Sequence, residues 1–330
     1  MRAVRAAGLL FGTGLIGVLL GLSAGAEGWS WGWSQWSAEI ELILQLRLPR
    51  TLSAWLAGAA LGLAGAIAQG LFRNPLADPY LLGSASGAGL AVALGLVLAQ
   101  GLDSMAMGEP TAWLAWGSGL LSFAGAWLAV MLALLWSGGL AHTPRLLLAG
   151  VVVGVILSAM TSALMLWVPQ AWAGFQSFML GTTQTLDLTG LATLALGLGL
   201  CLGVVCRWGP ALDVLSLGED TARSMGLNLT RTRGMLILGM TLATSLAVSH
   251  TGLIAFVGLA APHLARALVQ PKPSTLPLWS MGTGGLLLVL ADVLSRWWWS
   301  PLEWPVGVLT ALIGGLYLLL RLRRQPGGQA

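Results

Sequence analysis

The chain has 330 residues, of which 56% are hydrophobic and only 8% are charged. A soluble globular chain carries about 25% charged residues, so this composition excludes a water-soluble domain and is typical of a protein that lies in lipid. The formal net charge of +4 comes from sixteen Lys and Arg spread between apolar runs, and they form no basic face of the kind that binds nucleic acid.

Apolar runs follow one another along the whole sequence. Because a transmembrane helix needs about 20 apolar residues, we predict an all-α polytopic membrane protein with about ten transmembrane helices per subunit. Residues 1–330 are predicted to form a single transmembrane domain. The predicted spans are residues 8–24, 52–72, 80–100, 112–136, 146–168, 190–206, 234–250, 254–269, 277–295 and 305–320.

The N-terminal run follows Arg2 and Arg5 and ends near Ala24, so it is also similar to a cleaved signal peptide. We favour an uncleaved first span, because a cytoplasmic N-terminus places thirteen of the sixteen Lys and Arg in cytoplasmic segments. This distribution predicts that both termini are cytoplasmic and that the chain lies in a bacterial inner membrane.

Three arginines depart from this distribution. Arg47, Arg50 and Arg296 fall at the outer ends of their predicted spans. The planar guanidinium suits carboxylates, so these residues could bind an acidic partner, but they could equally extend toward lipid phosphates. Asp292 lies one helical turn before Arg296, and the two are predicted to pair.

Few other ionisable groups lie within the predicted spans, which argues against a proton-driven carrier. Small polar side chains could line a pathway for a large neutral or chelated solute, or could simply join helices by hydrogen bonds. They are Gln69, Asn74, Ser84, Ser86, Ser158, Thr161 and Ser162.

The sequence offers little support for catalysis. It contains no phosphate-binding Gly-x-x-x-x-Gly-Lys loop and only one lysine, Lys272, so any ATP must be hydrolysed by another chain. Its three histidines form no metal motif, and we expect them to make local hydrogen bonds at helix ends: His142, His250 and His263. Cys201 and Cys206 are five residues apart in an apolar run and are expected to be unpaired. We therefore predict no catalytic residues, no metal and no cofactor.

Glycines in the spans recur at intervals of four, a spacing that lets helix backbones pack closely in lipid. We predict packing at Gly58 and Gly62, at Gly150 and Gly154, and at Gly199 and Gly203.

Two polar segments interrupt the spans. Arg73–Pro79 contains two prolines, which end a helix, and predicts a tight cytoplasmic corner. The longest polar stretch, 212–233, keeps regularly spaced apolar residues and predicts short amphipathic helices. Ser216 and Glu219 have the spacing of a capping box, Arg223 is placed to pair with Glu219, and Gly226 is placed to end the helix.

Many separate motifs resemble those of the FecCD-type permeases, the membrane subunits of type II ABC importers for siderophores, haem and cobalamin. The resemblance runs in register from about residue 40 to 320. The matching segments are 47–50, 58–69, 74–79, 82–88, 146–151, 215–219, 252–266, 291–296 and 303–307.

The resemblance implies a homodimer in the membrane lipid around one central path, with two cytoplasmic ABC ATPase subunits and a periplasmic substrate-binding protein. It implies that Arg47, Arg50 and Arg296 meet glutamates of the binding protein. Because ATP hydrolysis falls to a partner, the chain itself is expected not to be an enzyme.

The resemblance also implies two cytoplasmic sites. The cytoplasmic gate would be formed by Asn74, Leu76, Thr143 and Pro144, although Pro144 stands where the cobalamin-importing members have serine. The ATPase coupling residues would lie in the short helices within 212–233. They are Leu215, Ser216, Gly218, Glu219 and Arg223.

The expected activity is translocation of an iron chelate (siderophore or haem) or cobalamin from periplasm to cytoplasm. Two other classes stay open: an ion-coupled secondary transporter would need ionisable groups at mid-membrane, and an intramembrane enzyme would need a convergent acid, base or metal set. The sequence does not distinguish the three solutes, because the binding protein selects them.

Overall fold

The computed structural model describes residues 2–25, 28–29, 40–103, 111–140, 143–298 and 302–324. Nearly all of these residues are helical. The exceptions include two short strands, β1 (Ala24–Gly25) and β2 (Gly28–Trp29), which pair antiparallel.

The helices follow one another with short connections. They are α1 (Arg2–Ser23), α2 (Leu48–Leu71), α3 (Ser84–Asp103), α4 (Thr111–Trp136), α5 (Thr143–Trp167), α6 (Trp172–Leu180), α7 (Leu188–Trp208), α8 (Ala211–Ser216), α9 (Glu219–Ser224), α10 (Leu229–Thr251), α11 (Val257–Val269), α12 (Leu276–Trp297) and α13 (Val306–Arg324). A π-helical turn, Ile43–Arg47, leads into α2, and 3-10 turns form at Pro79–Leu82 and Pro169–Ala171.

The predicted all-α polytopic architecture is confirmed. Among the described residues, six helices are long and apolar enough to cross a membrane. The four remaining predicted spans coincide with shorter apolar helices, at Ala7–Ser23, Ser84–Ala99, Val257–Val269 and Val306–Leu320. Ten membrane crossings therefore stay a prediction, although each predicted span coincides with a helix.

Helix α2 lies at the centre of the subunit. Its sequence is a succession of Ala, Gly and Leu, and 83% of its apolar window is buried. It packs against α12, α10, α11 and α7. In a membrane an apolar helix can face lipid or other helices, so it is the burial of α2, not its composition, that makes it the central element of the subunit.

Glycines of α2 allow this close packing. A Cβ atom on Gly58 would meet the backbone of Gly284, and one on Gly62 would meet the carbonyl oxygen of Ser280. The packing prediction is therefore confirmed for Gly58 and Gly62.

The other two predicted glycine pairs behave differently from each other. Gly150 packs directly on Leu81 and Leu82, as predicted. Gly199 and Gly203 have no atom within 4 Å of a built Cβ, so the prediction is wrong for packing within this chain. Glycine spacing alone does not specify which face of α7 meets a neighbour.

Helices α4, α5 and α7 leave much of their apolar surface uncovered. Only 33%, 22% and 28% of their respective apolar windows are buried. Leu166 and Trp167 at the end of α5 are 81% and 87% exposed. Such surfaces require lipid or another subunit as their neighbour.

The predicted span 254–269 begins with irregular backbone. Helix α10 ends at Gly252, which has a φ of +67°, and Phe256 also has a φ of +67° before α11 begins. The Leu253 N–H donates to the Phe178 carbonyl at 3.0 Å, and the Thr182 N–H donates to the Thr251 carbonyl at 2.8 Å. The end of α6 thus satisfies backbone groups that lipid could not.

Candidate functional site

A network of charged side chains joins α2, α12 and the segment before α13. Arg50 donates to both carboxylate oxygens of Glu303, at 3.1 and 2.8 Å, and its Nε donates to Asp292 at 3.1 Å. The Arg50 side chain is only 13% exposed. A guanidinium that binds one carboxylate through two nitrogens is fixed in orientation as well as charge.

Asp292 is the fully buried centre of this network. It accepts a hydrogen bond from Thr183 Oγ1 at 2.5 Å and pairs with both Arg50 and Arg296. The pairing predicted between Asp292 and Arg296 is thus confirmed. A buried carboxylate is tolerable only when several donors replace its water, which is what these three side chains do.

Arg296 lies inside the subunit, with 2% of its side chain exposed. Besides Asp292, it donates to the carbonyls of Gly21 and Ala24, at 3.1 and 3.2 Å, and to Thr51 Oγ1 at 3.3 Å. These bonds tie the end of α1 to α2 and α12. In this conformation the Arg296 guanidinium does not offer a surface for a partner.

Arg47 ends the π-helical turn that leads into α2, three residues before Arg50. Its side chain is partly exposed, and its Nη1 donates to the Leu22 carbonyl at 3.1 Å. Arg47 thus bonds to a main-chain carbonyl of α1, and Arg50 and Arg296 both pair with Asp292.

Glu303 was not predicted as a site residue, yet it forms the outer edge of this network. Burial alone would raise its pKa, but the hydrogen bonds and charge of Arg50 outweigh that and hold the pKa below the ordinary value of 4.5. Gln184 adds a bond of 2.9 Å. A cavity of about 370 Å³ opens beside Gln176, Gln184 and Glu303.

The corner after α2 is built by side chains that accept backbone hydrogen bonds. Asn74 Oδ1 accepts from the Leu76 N–H at 2.9 Å, and Asp78 accepts from the Tyr80 N–H at 2.8 Å. Leu76 itself is 52% exposed. The predicted tight corner is confirmed, and it presents one apolar side chain outward.

The start of α5 lies next to this corner. Gly150 of α5 packs on the 3-10 turn at Pro79–Leu82. Thr143 is partly exposed and Pro144 exposed at the first positions of α5, where proline is compatible with a helix. This contact joins the turn after the corner to the second turn of α5, and the gate of Asn74, Leu76, Thr143 and Pro144 stays a prediction.

A second cavity, of about 500 Å³, lies between the corner and α5. Tyr80, Ser86, Gly150, Gly154 and Ser158 are among its lining residues. The hydroxyl of Ser158 donates to that of Ser86 across a distance of 3.0 Å. Two of the predicted polar side chains therefore do line a cavity, and they also join α5 to α3.

Other predicted polar side chains serve packing. Gln69 is buried: its amide donates to the Leu259 carbonyl at 3.2 Å and accepts from Arg266 at 2.7 Å. Thr161 and Ser162 bond to carbonyls one turn earlier in their own helix. Hydrogen bonding between helices is therefore confirmed for Gln69, whereas Thr161 and Ser162 bond within their own helix, which neither alternative predicted.

The segment 212–233 contains the short helices α8 and α9, as predicted. Leu215 is buried in the main hydrophobic core, whereas Ser216 and Arg223 are exposed. Gly218 has a φ of +112°, which only glycine adopts readily, and this turn separates α8 from α9. Gly226, with a φ of +80°, ends α9 as predicted.

Two predicted interactions in this segment are wrong. Ser216 is the last residue of α8 and its hydroxyl donates to the Asp213 carbonyl at 2.6 Å, so it does not cap α9 with Glu219. Glu219 pairs with Arg233 at 2.5 Å and with Arg73 at 3.9 Å, rather than with Arg223. Glu219 therefore ties the segment to the base of α10 and to the corner.

The histidines and cysteines were expected to be structural. His250 lies at the end of α10 and contacts Thr193 Oγ1 at 2.6 Å, while His142 lies outside the described residues. Cys201 is buried and Cys206 exposed, and both are free thiols. Within the described ranges, His, Cys, Asp and Glu form no group of three that could hold a metal.

The described residues form a multi-helical subunit with several helices apolar enough to cross a membrane. A family description, the FecCD transport family, matches residues 10–324. The vitamin B12 import system permease protein BtuC of Citrobacter koseri is 35% identical over 320 residues, covering 94% of this chain and 92% of the relative. The protein of that name from Yersinia enterocolitica is 34% identical, covering 94% and 90%.

Solved structures show the same fold. A metal-chelate type ABC transporter in an inward-facing conformation superposes with a TM-score of 0.85 and 26% identity, covering 97% of this chain and all of that chain. PsaBC of Streptococcus pneumoniae, in complex with a Fab, superposes with a TM-score of 0.62 at 16% identity, which concerns the fold alone.

These similarities define the class: a polytopic permease subunit of an ABC importer. The chain belongs to the FecCD transport family. The resemblance predicted from the sequence motifs is thereby confirmed, and the relatives are transport subunits, not enzymes.

Proposed function

We propose that this chain is the membrane-spanning subunit of an importer that carries cobalamin from the periplasm to the cytoplasm. The observation that supports cobalamin is the 35% identity to vitamin B12 permeases over nearly the whole of both chains. An iron chelate, such as a siderophore complex or haem, is the second candidate. The structural similarity to a metal-chelate type transporter at a TM-score of 0.85 favours it.

The proposed assembly contains two copies of this chain, two ABC ATPase subunits and one periplasmic binding protein. The weakly buried surface of α5 supports a second copy as neighbour, because 22% burial leaves most of an apolar helix to be covered. Both termini would lie in the cytoplasm, so that the corner and the segment 212–233 face the ATPases.

We assign the docking of the binding protein to the outer arginines predicted from the sequence. Arg47 and Arg50 are both partly exposed, with 13% of the Arg50 side chain accessible. Arg296 is buried and would support docking indirectly, because its bonds to Gly21 and Thr51 hold α1, α2 and α12 together. Glutamates of the binding protein are the expected partners of Arg47 and Arg50.

The cytoplasmic gate would consist of the corner and the start of α5. Leu76, exposed at the tip of the corner, and Pro144 are apolar groups that could close a path against a second copy. Asn74 stabilises the corner by accepting a hydrogen bond from the Leu76 N–H, and Thr143 is the first residue of α5. A large solute would pass only when these segments separate.

Transport requires that an ATPase moves these helices, and the segment 212–233 provides a rigid contact. Leu215 anchors α8 in the core, and Glu219 anchors α9 to Arg233. Ser216, Gly218 and Arg223 would then face the ATPase. Motion of the ATPase reaches the corner through the pair between Glu219 and Arg73.

Reconstitution tests the proposal. The chain, its ATPase and its binding protein in proteoliposomes should take up labelled cyanocobalamin only with ATP. Labelled ferric siderophore and haem, offered with the same binding protein, measure the second candidate. Uptake driven by a proton gradient without ATP would contradict the importer and support an ion-coupled secondary transporter.

A further inference from the structure

An unusual group of side chains lies where α7 ends and α10 begins. Arg207 lies over the indole ring of Trp208, with its guanidinium carbon 5.1 Å from the ring centroid. Arg231, in the first turn of α10, lies 5.5 Å from the same centroid. We call these three residues the Arg-Trp-Arg cluster. The indole is partly buried against the core, so it holds both cations at a fixed place.

Both arginines of the cluster are exposed, and no internal acid neutralises them. Among the described residues, neither Arg207 nor Arg231 lies within 4.0 Å of a carboxylate. By contrast Arg233, two residues further on, pairs with Glu219. Two like charges beside one ring repel each other, and Arg231 also lies in the first turn of a helix, where the helix dipole disfavours a cation.

The cluster lies at the end of an uncovered apolar surface. Leu196 and Leu200 of α7 are 73% and 68% exposed. Spacings of four, three and four residues place Leu196, Leu200, Gly203 and Arg207 on one face of the helix. Arg207 therefore ends this uncovered apolar surface, at the level where the apolar helix gives way to the polar segment 212–233.

We propose that the Arg-Trp-Arg cluster binds the headgroup phosphate of an anionic phospholipid. One phosphodiester can accept hydrogen bonds from both guanidiniums, and it removes their mutual repulsion. The acyl chains would lie along the exposed leucines of α7. The site depends on α7 being embedded in the membrane, and it does not depend on which solute is transported.

Native mass spectrometry of the purified full-length chain in detergent tests this site. Phosphatidylglycerol should bind the wild type more tightly than phosphatidylcholine of equal chain length. Arg207→Gln/Arg231→Gln should weaken phosphatidylglycerol binding by about tenfold or more, and each single variant by about fivefold. The matched control, Arg145→Gln/Arg223→Gln, removes two other exposed charges and should bind within about twofold of the wild type.

The source of the phosphate is tested in the same experiment. Millimolar inorganic phosphate should leave phosphatidylglycerol bound, because the acyl chains contribute to the affinity. Displacement by inorganic phosphate alone would overturn the lipid assignment in favour of a free anion. Equal phosphatidylglycerol affinity in the wild type and in both single variants would overturn the site. If the double variant does not fold, the two single variants still test the proposal.

Discussion

Arg50 and Glu303 form an ion pair with two hydrogen bonds, of 3.1 and 2.8 Å, between residues 253 positions apart in the chain. The pair closes the segment before α13 onto the start of α2. It also places a carboxylate of this chain where an acidic partner would otherwise meet Arg50. If the binding protein docks at Arg50, its carboxylate must either share the Arg50 guanidinium with Glu303 or replace Glu303 as the partner of Arg50.

Glu303→Gln should destabilise the subunit, because Arg50 would keep only Asp292 as a charged partner. We expect the free energy of unfolding to fall by about 1–3 kcal/mol, measured by denaturation in detergent at pH 7. Glu41→Gln is the matched control, since Glu41 is exposed and bonds only to Gln45 one turn away. Equal stability of the two variants would contradict a structural role for the pair.

The same pair predicts a pH dependence. The folded-state pKa of Glu303 is held below 4.5, so its contribution is complete above the ordinary pKa and is lost as the pH falls through the lower, folded value. The wild type should therefore lose its stability advantage over Glu303→Gln on acidification below about pH 4.5. A constant difference between the two thermal midpoints from pH 7 to pH 3 would contradict this prediction.

Charge reversal should distinguish the roles of Arg47 and Arg296. Arg47→Glu should leave the subunit folded and weaken the docking of the binding protein, most strongly at low salt. Arg296→Glu should prevent stable folding, because it buries a second carboxylate beside Asp292 at a cost of about 3–5 kcal/mol or more. Pull-down of the binding protein and size-exclusion profiles measure the two effects.

The contrary outcomes are specific. Unchanged docking by Arg47→Glu would return this residue to an interaction with lipid phosphate. A well-folded Arg296→Glu subunit that fails to dock would show that Arg296 reaches the surface in the docked state.

Glycine packing offers a matched pair of substitutions. Gly62→Ala should destabilise the subunit by about 1–3 kcal/mol, because the added methyl group meets the Ser280 carbonyl between α2 and α12. Gly199→Ala should be neutral or should stabilise α7 by up to about 1 kcal/mol, since nothing lies within 4 Å. Thermal unfolding in detergent measures both, and destabilisation by Gly199→Ala would reveal a neighbour at that face.

The sequence predicted the elements of this fold better than their contacts. Hydropathy located a helix at each predicted span, because long apolar runs are stable only in lipid or in a buried position. The pair between Asp292 and Arg296 was predictable because four residues make one helical turn. The pair between Arg50 and Glu303 was not, because local spacing carries no information about residues 253 positions apart.

The error at Ser216 has a physical cause as well. The spacing from Ser216 to Glu219 is that of a capping box, but Gly218 between them takes a φ of +112° and starts a new helix. The serine therefore belongs to α8, where its hydroxyl donates to the Asp213 carbonyl one turn back. Gly218 itself was the available signal, because glycine is the residue that adopts such a φ readily.

Topology can be tested with single cysteines in a chain whose Cys201 and Cys206 are replaced by alanine. Thr185→Cys, in the exposed turn between α6 and α7, should be labelled by an impermeant maleimide from the periplasm. Asp220→Cys, in exposed α9, should react only after the membrane is permeabilised. Labelling of Asp220→Cys in intact cells would overturn the proposed orientation.

Coupling to the ATPase should depend on bulk at the turn between α8 and α9. A Cβ atom on Gly218 would meet no atom of the described residues closer than 4.0 Å, so the position is open and we expect the indole of Gly218→Trp to hold the ATPase away. We expect ATP-dependent uptake to be abolished while the subunit still inserts into the membrane. Gly218→Ala shares the backbone strain at a φ of +112° without the bulk, and it should retain much of the uptake.

Leu217 gives a second test that does not alter the turn's glycine. It is 63% exposed at the end of α8, so Leu217→Asp should leave the fold intact and weaken ATPase binding by removing an apolar contact. Co-purification of the ATPase and uptake in proteoliposomes measure the effect. Wild-type uptake by both Gly218→Trp and Leu217→Asp would show that the coupling surface lies elsewhere, and the exposed corner at Arg73–Asp78 would then be the next segment to substitute.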